Sequence, residues 1–421
     1  LQPGATRFAI VLAALFYIIL PAQAQETVFQ DQVYNKALRS VEFYNRNKEQ
    51  SLPLIHLNSS DELLLSFDDL REGSRSYAYT IEHCDMNWKS SRLSPLDYLD
   101  GFGEDRINDY DVSLNTLQGY THYQLSIPNQ TIRPKIDGNY VLKVYEEGYP
   151  ERVLLTRRFY VLQAAVVLRS EIVAPTRVSD RRTHQKINIT VEHPQLNIQN
   201  PYTEVQLVVR QNGRPDAEQI VRRPNQIRSG QLFYNDLGTL EFNGSNEFRK
   251  FDIRTLRLQT EQVEQIYKDS VNTVQLLPDQ PYTASNYSST FDENGSFFIR
   301  NQEGRDPATD GDYAYVTFTL EAARPGVDGD VYVVGKFNDY RLVDKLVYDA
   351  ERSRFYGSVY LKQGLYDYQY VWVDKNNPLK ASSTLFEGSF FETKNSYQAF
   401  LYYRRPGSRW DQLVGFHEFN N

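Results

Sequence analysis

Apolar and polar residues alternate over short runs along most of this chain. Tyr140-Val-Leu-Lys-Val-Tyr145 and Tyr313-Ala-Tyr-Val-Thr-Phe-Thr-Leu320 are examples, and the runs 62–67, 186–191 and 205–209 behave alike. A period of two puts successive side chains on opposite faces of a strand. Asn, Gly, Pro and Asp clusters separate the runs and supply turns. Helical periodicity is poor beyond the first residues. The pattern predicts an all-β chain built from tandem β-sandwich units.

The segment 137–162 sharpens this. Asp137-Gly138-Asn139 opens one strand, Glu147-Gly148-Tyr149-Pro150 turns the chain, and 153–162 returns. A Gly-x-Tyr-x-Leu-x-Val strand followed by a hairpin resembles immunoglobulin-like modules. Three units are expected, over 25–163, 164–281 and 310–421. The polar, turn-rich stretch 282–309 between the last two is a linker or a crossover, with a short strand at 296–299.

Residues 1–24 read as a cleaved signal peptide. Arg7 precedes an apolar run over 8–20, and Ala22-Gln23-Ala24 stands before Gln25. That run is too short for a membrane span, and no later stretch is longer. Uneven strand spacing argues against a membrane barrel. The mature chain is therefore expected to be exported, without direct membrane insertion. A formal net charge of −8 gives no support to nucleic-acid binding. A single cysteine allows no internal disulfide, so apolar cores must hold the units together.

Candidate chemistry is sparse. The six histidines, at 56, 83, 122, 184, 193 and 417, show no metal-ligand spacing. There is no nucleophile elbow, phosphate loop or dinucleotide fingerprint. Asp68-Asp69, and Asp306 with Asp310 and Asp312, read as carboxylates on solvated turns; the latter set has calcium-loop chemistry without the EF-hand spacing. The segment 79–89 carries His83, the only cysteine (Cys84), the only methionine (Met86) and Trp88. A strand over 76–88 would put His83 and Asp85 on one face and Cys84, Met86 and Trp88 on the other. The second set then forms a structural core stripe, and His83 cannot activate the thiol. No catalytic, metal or cofactor site is expected. The 31 tyrosines and 23 phenylalanines exceed what sandwich cores usually require, which points to aromatic residues on a protein-binding surface.

Two resemblances add to this. The runs 330–340 and 357–371 resemble the glycogen-binding, early-set immunoglobulin-like modules. Tyr340 stands where those modules place a stacking tryptophan, and Gln369 where they place a lysine facing sugar hydroxyls. Trp372 falls inside the strand run. The resemblance implies the fold and leaves carbohydrate binding as the alternative function, with a glycan the less favoured partner. The second resemblance covers nearly the whole mature chain. Thr80-Ile-Glu-His-Cys-Asp-Met-Asn-Trp-Lys89, the run 94–102, the run 243–252 and Gly335-Lys-Phe-Asn-Asp-Tyr340 are similar to the type IX secretion system plug proteins of Bacteroidota. It implies a non-enzymatic periplasmic subunit, associated with the outer membrane and without cofactors. Its partner would be the outer-membrane translocon barrel of the Sov/SprA type, whose periplasmic opening it would occlude. Asp100, Gly101, Phe102 and Gly103 form a candidate partner-binding turn with an aromatic tip.

Overall fold

The computed structural model describes residues 29–71, 73–282, 286–326, 328–377 and 381–421. The expected signal peptide lies outside the described residues. The described residues are 48 % strand and 6 % helix, so the alternating runs do become sheets.

The first unit is a sandwich. One sheet pairs Val153–Leu162, Gly138–Glu146, Tyr77–Cys84 and Asp105–Ile107 in that order, all antiparallel. The other runs Leu38–Asn45, Leu63–Asp69, Thr121–Ile127, Asp109–Val112. Alternation fills the space between them: Leu63, Leu65 and Phe67 meet Ile81, Leu142 and Phe159. The strand expected to run through Trp88 stops at Cys84. Asp85 then accepts the amides of Asn87 and Lys89 through its carboxylate, and Trp88 takes a positive φ of 59°. An Asp side chain that binds amides two and four residues ahead draws the backbone out of the sheet ladder.

The second unit is discontinuous. Val167–Val173, His184–Glu192, Gln231–Tyr234 and Gln226–Arg228 form one sheet. The facing sheet pairs Glu218–Val221 and Val205–Gln211 with Ser396–Tyr403 and Gln412–Asn420, the last strands of the chain. Ile187, Ile189, Leu207 and Val209 pack on Tyr397, Ala399 and Leu401. The expected units 164–281 and 310–421 differ from this at both ends. Arg249–Asp252, Asn272–Leu276 and Val263–Lys268 leave the second unit and join a ten-stranded sheet with Gly364–Asp374, Gly329–Val334, Asp344–Asp349, Arg354–Lys362 and Tyr313–Leu320. That sheet wraps around Phe251, Val316, Phe318, Val331, Val333 and Tyr368 to make the third unit. Phe297–Ile299, from the stretch expected as linker or crossover, pairs with the same sheet. The third unit is thus an insertion in the second. A strand's apolar face shows that it must be covered but not by which partner, so local patterning divides such a chain incorrectly.

Many of the aromatic residues are interior. Tyr77, Tyr140, Tyr313, Tyr366, Tyr368 and Tyr397 are among the largest fully buried side chains, which corrects the expectation that the aromatic excess sits mainly on the surface. Buried phenols need hydrogen-bond partners. Tyr77 donates to Asp69, Tyr368 and Tyr370 to Asp279, and Tyr366 to the carbonyl of Lys362.

Candidate functional site

His83 and Cys84 end the same strand and point to opposite faces. The imidazole lies inside the first sandwich, edge-on to Tyr140 at 4.9 Å, with Nε2 3.2 Å from the carbonyl of Asp137. Burial pushes its pKa down to about 4, so it is neutral. On the far face burial raises the Cys84 thiol well above its usual range, and Glu82 adds to this. No thiolate–imidazole pair forms.

Cys84, Met86 and Trp88 do cluster, but not within the first sandwich. They lie outside it, with Leu54, Val141, Tyr160 and Leu162, against Val208, Phe400, Tyr402 and Leu413 of the second unit. The stripe is the joint between two units. Trp88 stands edge-on to Tyr160 at 5.2 Å, the Arg158 guanidinium lies 4.4 Å from the Trp88 ring centroid, and Tyr160 stacks on Phe400 at 4.7 Å. Polar bonds close the same joint: Asp411 accepts the Met86 amide, and Tyr402 donates to Asn139. Cys84 should accordingly resist thiol reagents in the folded protein and react only on denaturation. Cys84→Ala should cost about 1 kcal/mol for the small cavity. Rapid labelling of native protein with a coloured disulfide reagent would contradict this placement.

The carboxylate pair at 68–69 is not on a solvated turn. Both residues lie in the strand Leu63–Asp69 and are fully buried. Asp69 is bound by Arg71 and Tyr77. Asp68 faces outward from its sandwich into the third unit. There it accepts from Lys362 Nζ at 2.7 Å and the Tyr313 hydroxyl at 2.7 Å, while His122 Nδ1 lies 2.6 Å away. A carboxylate, a cation, an imidazole and a phenol form a chemically capable set, yet all four side chains are buried and sealed between the units. The arrangement is a joint and offers no entry to a substrate. The acidic loop near 306–312 is committed to backbone. Asp306 caps the short helix Pro307–Asp310, Asp310 accepts the amides of Arg305 and Asp306, and Asp312 accepts those of Leu117 and Gln118.

The two positions that would face a sugar are occupied from within. Arg214 of the second unit donates to Gln369 Oε1 at 2.9 Å and lies 5.2 Å from the Tyr340 ring centroid. The Tyr340 hydroxyl donates to the carbonyl of Asn294. No sequence signal marked Arg214, because its role depends on how the units dock.

The turn at 100–103 is exposed. Leu99–Gly101 pairs with Ile132–Pro134. Gly101 takes φ +106°, and a Cβ there would sit 2.0 Å from the Thr131 oxygen, so only glycine fits. The Phe102 amide bonds the same oxygen, and the Gly103 carbonyl accepts from Thr80. With the backbone tied down on both sides the Phe102 ring projects outward, 71 % exposed, and Leu96 on the preceding helical turn is 82 % exposed. Asp100 is exposed beside them.

Comparison with known proteins agrees with this architecture. The chain is similar to a hypothetical protein from Parabacteroides merdae known from a crystal structure. The two share 30 % identity over 94 % of this chain and 100 % of that one, with a TM-score of 0.90. The arrangement of all three units therefore recurs in that relative. No curated protein sequence matches the chain. Residues 38–163 match the first domain of the type 9 secretion system plug protein, and this span contains both the rare-residue segment and the exposed turn. The chain belongs to the type IX secretion system plug protein family, and its role is tied to that secretion machinery.

Proposed function

We propose that the protein is a non-catalytic periplasmic subunit that binds the outer-membrane translocon barrel of the Sov/SprA type and occludes its periplasmic opening. The family match over 38–163 carries this reading. The joints add physical support. An apolar core unites the first and second units, a buried ion pair unites the first and third, and Arg214 ties the second to the third. A body that closes a wide pore must not deform, and joints of this kind, with aromatic stacking and desolvated charge, resist opening.

Phe102 is the candidate anchor on this body, since exposed aromatic side chains dominate interface energetics. Phe102→Ser should change stability by less than about 0.5 kcal/mol, as surface substitutions do. It should weaken binding to the purified translocon barrel about tenfold or more. A deletion strain should admit large antibiotics that the wild type excludes. Undiminished exclusion, together with no co-purification of the barrel from cells with idle secretion, would defeat the proposal.

A further inference from the structure

The three units meet around a cleft of about 260 Å³, which opens to solvent beside the exposed residues Lys48 and Pro215. Glu42 and Arg157 of the first unit, Gln398 of the second, and Phe297 and Lys336 of the third are among its walls. The Gly335–Tyr340 motif contributes Asp339 and Tyr340 as well as Lys336. Asp339 and Tyr340 are adjacent non-glycine residues, and both take a φ of 55°. That backbone conformation is uncommon and concentrates at sites where a side chain must be aimed.

Hydrogen-bonding capacity is left over inside the cleft. Lys336 Nζ donates to the Gln50 carbonyl at 2.7 Å and to nothing else among the described residues. Gln398 is 7 % exposed, yet its Oε1 has no partner among them, and neither has the Ser51 Oγ. Buried polar atoms without protein partners call for a bound molecule or water. The charges nearly cancel. Five Lys or Arg and six Asp or Glu line the cleft. Arg157 pairs with Asp339 at 3.3 Å, Arg210 with Glu218, and Glu49 with Arg300. Burial, with Glu49 adding to it, raises the Glu42 carboxyl to about 8, so at pH 7 it is neutral and can donate as well as accept. Of the remaining groups, Lys48, Arg158 and Lys336 balance Asp31, Glu293 and Glu418. Among the described residues, no three His, Cys, Asp or Glu side chains stand close enough to hold a metal ion.

We propose that this cleft binds one small, neutral, hydroxyl-rich molecule of the monosaccharide class. A hydroxyl both donates and accepts, so one sugar can serve carboxylate, ammonium, guanidinium and amide groups together. A charged ligand would leave one sign unmatched in a balanced set, which is costly away from bulk water. Phe43 and Phe297 supply an apolar wall for the C–H face of a ring. The volume falls just below the usual range for drug-sized ligands, so the cleft admits a single ring and not a glycan chain. It is distinct from the pair Tyr340 and Gln369 facing outward, which Arg214 covers. A ligand held by three units binds only the assembled fold and therefore raises its melting temperature. Neither this site nor pore closure depends on the other.

The test titrates the full chain with a panel of neutral hexoses, pentoses and N-acetylhexosamines, and in parallel with charged amino acids, by ligand-observed NMR and by melting temperature. At least one sugar should bind with a dissociation constant of about 1 mM or tighter and raise the melting temperature. Lys336→Met removes a charged donor and should weaken that binding about tenfold or more. Pro215→Trp, at the exposed mouth, should block entry without touching the core, which keeps the test decisive if Lys336→Met fails to fold. Glu42→Gln copies the neutral carboxyl and should bind within about threefold of wild type. The inference is overturned if no sugar binds the wild type, if sugar binding survives unchanged in folded Lys336→Met or in Pro215→Trp, or if only the charged amino acids bind.

Discussion

Lys362→Met should destabilise the protein by about 3–5 kcal/mol at neutral pH, because it strands a buried carboxylate. Lys362 and Asp68 are 1 % and 0 % exposed and lie on different units. Burial on its own would raise the Asp68 pKa, but Lys362 and then His122 outweigh it, and the carboxyl ends below its ordinary value. A depressed folded pKa stabilises above the unfolded value and loses that contribution as pH falls through the folded one. Wild-type docking of the first and third units should therefore persist at neutral pH and weaken only in acid. In the variant the cation no longer opposes burial, so the carboxyl takes up its proton at higher pH. The deficit against wild type should shrink as pH falls from 7 toward 5. Urea unfolding at both pH values measures this. A loss below about 1 kcal/mol at pH 7, or a deficit that does not change with pH, would show that Asp68 and Lys362 do not hold the joint together.

Trp88→Ala should cost a similar amount, about 3–5 kcal/mol, through the cavity it leaves. Trp88 touches Tyr160 edge-on and carries Arg158 on its ring, and Tyr160 in turn stacks on Phe400 across the joint. Removing the indole breaks the first step of a chain of ring contacts that reaches the second unit. The damage should concentrate there. The chain passes from the first unit to the second at 163–165, where the amides of Gln163 and Ala165 bond Leu413 and Val414. This segment should become the first site of limited proteolysis in the variant. A wild-type melting temperature and an unchanged cleavage pattern would mean that the cluster is filler and not a joint.

Much of the architecture was legible in the chain. The period-two runs at 140–145, 186–191 and 313–320 became strands, and the opposition of His83 and Cys84 followed from alternation alone. The family resemblance in the segment 80–102 agrees with the match over 38–163. The errors share one cause. Val205–Gln211 reads as a strand with a neighbour nearby and does pair with Glu218–Val221, yet its other edge is taken by the distant Ser396–Tyr403. Asp68 reads as a turn residue because its cation, Lys362, lies far along the chain. For Tyr340, which stands where the sugar-binding modules place a stacking tryptophan, nothing local reveals Arg214 lying over its ring.

By itself, then, the sequence determined the strand content, the apolar face of each strand, the absence of a His–Cys dyad and the family. Those depend on side-chain alternation and on motifs, which are local. Only the tertiary structure decided that the third unit is inserted in the second, and that the rare Cys84-Met86-Trp88 stripe and the Asp68 carboxylate are joints between units. Those depend on which distant surface covers an exposed face, and two apolar or oppositely charged patches carry no mark of each other until the chain brings them together.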